Sequence, residues 1–133
     1  MEAFRTAAAY TSYSARAFEA TCDFYEAQLG CTPVFGWDRP DSRGVYYNLG
    51  AAPVAEILDA ARGEDALAPP APGTFSIVVI VRDAHRAHDE VSARGVTVST
   101  PLVSEIWGRY FGVQDPDGVL LYFLERVEAP GHD

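Results

Sequence analysis

The fold of this 133-residue chain is indicated most clearly by the sequence Glu105-Ile-Trp-Gly-Arg-Tyr-Phe-Gly-Val-Gln-Asp-Pro-Asp-Gly-Val-Leu-Leu-Tyr-Phe-Leu-Glu125. Its centre, Asp115-Pro116-Asp117-Gly118, has the composition of a tight turn. Proline presets φ at the second turn position, the aspartates can bond to their own backbone, and glycine accepts a positive φ. Aromatic and β-branched residues flank the turn over 109–114 and 119–125, so the stretch predicts two antiparallel strands.

Together with this hairpin, the rest of the chain shows the same order of elements twice. The helical spacing within 16–29 predicts one face formed by Phe18, Cys22, Tyr25 and Leu29, and Gly30 can end that helix. Asp83 can cap a second helix that runs to Arg94. Further strands are predicted at 4–14, 32–37, 45–49, 53–60, 74–82 and 96–103. Periodicity and punctuation therefore give the order strand-helix-strand-strand-strand two times.

Three segments between or within these elements carry their own predictions. The polar stretch 38–44 is expected to be a loop, and the Pro-rich stretch 62–73 a linker. The nearly continuous apolar run 74–82 predicts a strand that is buried on both faces. We expect a single domain over 1–133, with one module at about 5–61 and a second at about 74–127.

Composition and charge exclude several classes of function. The net charge of −9 argues against nucleic acid as a partner, because phosphates require a basic surface. It serves solubility, and it would also steer a cationic ligand. No apolar run reaches the roughly 20 residues of a membrane span, and no signal sequence is visible, so a cytoplasmic protein with no membrane partner is expected.

The cysteines and histidines indicate no catalytic or metal site. Cys22 and Cys31 are too few for a disulfide framework or a zinc site. His85 and His88 lie three apart on the second predicted helix, and we interpret them as a solvated helix face. No Ser-His-Asp order, Cys-His pair or glycine-rich phosphate loop is present.

The hairpin also resembles a known family. Trp107-Gly108-Arg109-Tyr110-Phe111, followed by the Asp115–Gly118 turn, is similar to the last hairpin of the glyoxalase/bleomycin-resistance/dioxygenase group, the vicinal oxygen chelate superfamily. Phe24-Tyr25 with Leu29-Gly30 resembles its first helix. The likeness covers roughly 5–127 and leans toward the bleomycin-resistance-like, drug-binding members. It implies an α+β fold in which two βαβββ modules form a cup-shaped mixed sheet.

The resemblance poses the question of a metal. Enzymes of this superfamily hold a divalent ion with His, Gln or Glu side chains from strands one, four, five and eight. The matching positions here are Tyr10, Glu56, Ser76 and Tyr122. Such an ion needs three or four N or O ligands that converge, and only Glu56 matches a family ligand. We therefore expect no metal and no other cofactor.

A metal-free cup would be a pocket lined by aromatic and small polar groups. If Tyr122 faces the cup, so do Leu120 and Leu124, and on strand five the same alternation turns Ser76, Val78 and Ile80 inward. The residues between them on the last strand, Val119, Leu121 and Phe123, would pack against a helix. Further aromatic residues near the rim are Tyr46 or Tyr47, and Tyr110. The predicted ligand-binding residues are Tyr10, Phe35, Trp37, Glu56, Ser76, Val78, Trp107, Phe111 and Tyr122.

These residues suggest separate roles in binding. Stacking is assigned to Trp37, Trp107 and Phe111, because flat rings bind planar ligands by offset stacking. Hydrogen bonds are assigned to the hydroxyls at positions 10, 76 and 122, and charge complementarity to Glu56 or Glu105.

The first hypothesis for function is a metal-free, non-enzymatic protein that sequesters an antibiotic or related natural product, with an aromatic or cationic ligand. The resemblance implies a homodimer with pockets between the chains. The alternative is a metal-dependent lyase, isomerase or dioxygenase that uses Glu56, and a cofactor-free enzyme with the same pocket is a third possibility.

Overall fold

The computed structural model describes residues 8–63 and 68–127, and the strands in this part of the chain form two four-stranded sheets. The described elements are β1 Thr11–Ala15, α1 Phe18–Asp23 with a following π-helical turn Phe24–Gln28, β2 Thr32–Arg39, β3 Ser42–Leu49, β4 Ala52–Asp59, β5 Ser76–Ile80, α2 Ala84–Ala93, β6 Val98–Glu105, β7 Gly108–Gln114 and β8 Leu120–Arg126. The predicted α+β fold of two βαβββ modules is confirmed. None of the described helices is long and apolar enough to cross a membrane.

The two sheets repeat one topology. The first has the order β1-β4-β3-β2 and the second the order β5-β8-β7-β6. In each, the first strand pairs parallel with the last strand of its module, and the other pairs are antiparallel. Positions 12, 56 and 46 lie side by side in the first sheet, and positions 78, 122 and 112 in the second, a constant offset of 66 residues. These two rows of positions, here called the matching ladders, have the same place in their sheets but carry different side chains.

The helices bury one face of each sheet in a common core. α1 contacts β1 and β4, and α2 contacts β6, β7 and β8. The predicted helix face is confirmed for Phe18, Tyr25 and Leu29, which are buried, whereas Cys22 is half-buried. Cys31 lies in the same core, and burial raises the pKa of its thiol to about 11.

The predicted alternation of β8 is confirmed. Leu121 and Phe123 are buried on the helix side, whereas Leu120, Tyr122 and Leu124 are half-exposed on the other face. We call the face of each sheet away from the helices its open face.

Burial of β5 on both faces, as its apolar run suggested, is wrong for the chain as described. Ile77 is buried, but Val78 is 51% exposed and Ile80 is 55% exposed. Both exposed side chains lie on the open face, which the helices of this chain do not cover. Their apolar character therefore belongs to a surface available to a ligand or another chain.

The predicted loop at 38–44 is instead a tight hairpin. β2 extends to Arg39 and β3 begins at Ser42, so the two strands pair across a two-residue turn. The polar side chains stabilise this end of the hairpin, since the Arg43 guanidinium approaches the Asp38 carboxylate. Of the predicted linker 62–73, residues 64–67 lie outside the described part, as do residues 4–7 of the first predicted strand. The module boundaries stay a prediction.

A buried carboxylate joins the two modules. Asp115 is 4% exposed, and its Oδ1 accepts hydrogen bonds from the backbone N–H groups of Asp117 and Val119 at 2.8 and 3.0 Å. Its Oδ2 accepts from the hydroxyls of Tyr13 and Tyr25, which belong to the first module. The turn of the second module is therefore held by a strand and a helix of the first.

Buried tyrosines predict how the fold responds to alkali. Burial raises the pKa of Tyr13, Tyr25 and Tyr47, so these phenols keep their protons in the folded protein well above pH ~10. In the unfolded chain they ionise near pH ~10, so the contribution of these protonated phenols to the free energy of unfolding is fully present below that pH. It is expected to fall by about 1.4 kcal/mol per pH unit above it for each tyrosine.

Spectrophotometric titration measures this directly. Tyr13, Tyr25 and Tyr47 should ionise only as circular dichroism reports unfolding. Ionisation of these three tyrosines near pH ~10 with the fold intact would contradict the burial described above.

Candidate functional site

The open face of the second sheet carries a cavity of about 310 Å³. It is lined by Val78, Thr100, Trp107, Tyr110, Tyr122 and Leu124. The rings of Trp107 and Tyr110 are stacked, with centroids 5.5 Å apart and planes 10° from parallel. Tyr110 meets Tyr122 edge to face, with centroids 6.1 Å apart. The cavity therefore offers flat aromatic faces and phenol hydroxyls.

Local backbone features explain why these rings form a wall. Trp107 stands at the end of the hairpin between β6 and β7 and is 50% exposed. In the middle of β7, Gly112 lies between Thr100 and Tyr122. A Cβ at position 112 would stand 3.0 Å from both Thr100 Oγ1 and Tyr122 Cε1. The missing side chain leaves the space in which the Tyr122 ring lies.

The open face of the first sheet carries a second aromatic cluster. Tyr46 stacks on Tyr10 with ring centroids 4.7 Å apart, and the Tyr10 hydroxyl donates to Asn48. On its other side, Tyr46 lies 6.1 Å from Phe35 and 6.2 Å from Trp37, measured between centroids. This cluster forms a continuous aromatic strip across β2 and β3.

Glu56 lies at the centre of this first open face. Its Oε1 accepts a hydrogen bond of 2.7 Å from Ser12 Oγ on the neighbouring strand β1. Hydrogen bonding to the same carboxylate raises the pKa of Tyr46, which faces it from β3. Among the residues described, no ion pair involves Glu56. The carboxylate is thus held by neutral hydroxyl groups.

A glycine also positions Trp37, and this can be tested. The indole of Trp37 lies over Gly44, and its Nε1 donates to Ser42 Oγ at 2.8 Å. A Cβ at position 44 would come within 2.6 Å of two carbon atoms of the indole ring. We expect Gly44→Ala to displace the ring, at a cost of about 1–2 kcal/mol in unfolding free energy.

The indole N–H resonance of Trp37 in an NMR spectrum reports this displacement, because the hydrogen bond to Ser42 sets its shift. Gly50→Ala is not a suitable control because Gly50 has a positive φ, whereas Ala52→Gly changes an exposed residue at the other end of the β3–β4 pair from Gly44. An unchanged Trp37 resonance in Gly44→Ala would contradict the packing.

The structure divides the predicted ligand-binding residues between two faces. Val78, Trp107 and Tyr122 line the cavity of the second sheet. Ser76 lies on the same open face, opposite Leu120. The other group, on the first sheet, comprises Tyr10, Phe35, Trp37 and Glu56. In the described part of the chain, no hydrogen bond or ring contact joins the two groups.

The assignment of Phe111 to the pocket is wrong. Phe111 is fully buried on the helix side, where it stacks on Phe123 and meets His88 edge to face. The register of the hairpin contains the signal that identifies this: the tight turn places Phe111 opposite Phe123, which already faces the helix. Its neighbour Tyr110 therefore faces the cavity instead.

The choice between Tyr46 and Tyr47 is settled by the same alternation. Tyr46 lies on the open face, whereas Tyr47 is fully buried and donates a 2.6 Å hydrogen bond to Glu26. Sequence reasoning missed Ser12 and Thr100. Ser12 is the direct neighbour of Glu56, and the parallel pairing of β1 with β4 that brings them together has no local sequence signal.

The side chains on these strands do not fit the metal that the family resemblance would imply. The residue beside Glu56 is Ser12, and the residue beside Tyr122 is Val78, so the two matching ladders supply one carboxylate between them. No group of three His, Cys, Asp or Glu side chains capable of holding a metal occurs within residues 8–63 and 68–127. A divalent ion would find too few protein ligands.

Comparison with known proteins identifies one family. The sequence profile of the Glyoxalase/Bleomycin resistance protein/Dioxygenase superfamily matches residues 8–123, which include β1 to β7 and the first part of β8. No curated protein matches the sequence significantly.

Solved structures share the fold over nearly the whole chain. TioX from Micromonospora sp. ML1 has a TM-score of 0.72 at 14% identity, over 92% of this chain and 100% of that one. TnmS3, an antibiotic binding protein from Streptomyces sp. CB03234, has a TM-score of 0.70 at 19% identity, with the same coverage of 92% and 100%. A superfamily member from Sphaerobacter thermophilus DSM 20745 has a TM-score of 0.63 at 27% identity, over 90% and 98%.

Proposed function

This chain belongs to the Glyoxalase/Bleomycin resistance protein/Dioxygenase superfamily, and from that premise we propose that it is a metal-free small-molecule binding protein that sequesters an antibiotic or related natural product. The observation that carries the proposal is the aromatic cavity on the second sheet, where the Trp107 and Tyr110 rings are stacked at its wall. TnmS3, a structural neighbour, binds an antibiotic, which is consistent with this use of the fold.

The cavity suits a planar, largely apolar ligand. Four of its residues supply an aromatic or aliphatic surface in addition to the hydroxyls of Tyr122 and Thr100. Offset stacking on an aromatic ring contributes about 0.5–1.5 kcal/mol beyond the burial of area. The hydroxyl groups in the lining can orient the ligand by hydrogen bonds, a common division of roles in small-molecule sites.

We also propose that two chains form the complete pocket. Each chain leaves two open faces with exposed apolar side chains, such as Phe35 at 58% and Val78 at 51%. A homodimer related by a two-fold axis would place the first sheet of one chain against the second sheet of its partner. Sedimentation equilibrium tests this, with a stable dimer as the expected result.

The test of binding uses quinoline as a planar, uncharged probe. The two tryptophans of the chain, Trp37 and Trp107, lie on different open faces, so their indole N–H resonances report the two faces separately. Quinoline is expected to shift the Trp107 resonance saturably and to be recovered chemically unchanged. An unperturbed Trp107 resonance at saturating quinoline would contradict a planar-ligand site at the second sheet.

The rival function is a metal-dependent lyase, isomerase or dioxygenase that uses Glu56. Metal analysis of the purified protein separates the two. The proposed binder should carry no stoichiometric metal, and Glu56→Ala should leave its metal content unchanged. Near-stoichiometric Ni, Zn, Mn or Fe that is lost in Glu56→Ala would favour the enzyme.

A further inference from the structure

The matching ladders of the two sheets differ most in charge. At the central position of the fourth strand in each module, the first sheet has Glu56 and the second has Tyr122. The neighbour on the parallel strand is Ser12 in the first sheet and Val78 in the second. The same backbone arrangement therefore presents a carboxylate bonded to a hydroxyl on the first open face, and the uncharged pair of Tyr122 and Val78 on the second.

The Glu56 carboxylate has no cationic partner within the described residues. Its hydrogen bond comes from Ser12, and the nearby Tyr46 is also neutral. The arginine closest along the neighbouring strand, Arg43, lies on the helix side, where it bonds to Glu19 and its guanidinium sits 4.6 Å from the centroid of the Phe18 ring. The first open face thus combines one half-exposed negative charge with uncharged neighbours.

Aromatic rings surround this charge on one side. Tyr46, next to Glu56, is in contact with the rings of Phe35 and Trp37. Phe35 is 58% exposed, and Trp37 is fixed by its bond to Ser42 above the bare backbone of Gly44. Aromatic faces attract organic cations through the ring quadrupole, and a carboxylate nearby supplies the counter-charge.

We propose that the open face of the first sheet is a binding site for an organic cation, such as a quaternary or protonated nitrogen on an aromatic ligand. Glu56 supplies the counter-charge, and the rings of Tyr46, Trp37 and Phe35 pack against the cation. This site rests on the proposed function and defines the class of its ligand, with a planar group for the second sheet and a positive charge for the first. The net charge of −9 supports the same polarity of ligand.

The test compares N-methylquinolinium, which carries a permanent positive charge, with uncharged quinoline on the full chain. Both probes are titrated while the Trp37 and Trp107 indole resonances are followed, with the resonances assigned from Trp37→Phe and Trp107→Phe. N-methylquinolinium is expected to shift the Trp37 resonance and to bind the first face more tightly than quinoline. Equal affinity of the two probes at Trp37 would overturn the proposal.

Glu56→Gln removes the charge but keeps the size of the side chain. It is expected to weaken N-methylquinolinium binding at Trp37 by about five- to tenfold and to leave quinoline binding at Trp107 unchanged. Glu90→Gln on the exposed surface of α2 makes the same change in net charge away from both open faces, and should bind like the parent. Equal losses in both variants would mean that overall charge, and not this site, attracts the cation.

Ionic strength provides a test that needs no variant. Added salt should weaken binding of N-methylquinolinium at Trp37 and leave quinoline unaffected, because salt screens only the charged interaction. If the Trp107 site fails to bind quinoline while the charge-dependent response at Trp37 persists, the proposed planar site falls and the cation site stands. If quinoline binds at Trp107 and the response at Trp37 does not depend on charge, only the proposed cation site is contradicted.

Discussion

Trp107→Ala is expected to weaken quinoline binding at the second sheet by about five- to thirtyfold, which corresponds to about 1–2 kcal/mol. The substitution removes the ring that stacks on Tyr110 at the cavity wall, and with it a flat face for the ligand. Because Trp107 is 50% exposed, its removal leaves the core intact and the loss should appear in binding. Isothermal titration calorimetry measures the affinity, since the variant lacks the indole reporter.

Two further variants serve as controls for Trp107→Ala. Trp107→Phe keeps an aromatic face and should retain most of the affinity. Glu90→Gln changes an exposed residue of α2 away from both open faces, and should leave quinoline binding at the parent value. Unchanged affinity of Trp107→Ala for quinoline would show that this tryptophan is not part of the binding surface.

Asp115→Ala is expected to destabilise the fold by about 3–4 kcal/mol, because the substitution leaves buried donors without an acceptor. Two of these donors are the backbone N–H groups of Asp117 and Val119, and two are the phenols of Tyr13 and Tyr25. The two phenols lie 3.2 Å apart and can bond to each other, so the loss should be smaller than four separate hydrogen bonds would give. Urea denaturation followed by circular dichroism gives the free energy of unfolding.

An exposed aspartate supplies the matched control. Asp89→Ala on α2 removes the same group from a side chain that is 67% exposed, and should change stability by less than about 0.5 kcal/mol. Tyr25→Phe removes one of the four donors, and its loss in unfolding free energy should lie between those of Asp115→Ala and Asp89→Ala. If Asp115→Ala were as stable as Asp89→Ala, the buried carboxylate would not hold the two modules together.

The hairpin shows how much of the fold local sequence determines. The Asp115–Gly118 turn fixes which residues of β7 and β8 face each other, so the two faces of β8 could be predicted from alternation. The same turn determines β7, but Tyr110 and Phe111 are adjacent aromatic residues, and composition alone does not distinguish the cavity side from the core side. Residue type favours Phe111 for the cavity, whereas the pairing register places it in the core opposite Phe123.

Contacts between distant parts of the chain were beyond such reasoning. Tyr13 reaches Asp115 across 102 positions in the sequence, and Ser12 reaches Glu56 across 44. Parallel pairing of β1 with β4 has no turn that fixes its register, unlike a hairpin. The π-helical turn at 24–28 also departs from the spacing by which helices are recognised.

The constant offset of 66 residues has a consequence for how such a chain can change over generations. Because alternate residues of each strand serve the interior, replacements at 12, 46 and 56, or at 78, 112 and 122, leave the packed half of the molecule untouched. A duplicated scaffold of this kind separates the positions under selection for folding from those free to diversify. Substitutions on the open face of one module can then change its ligand preference, while the other module keeps its own.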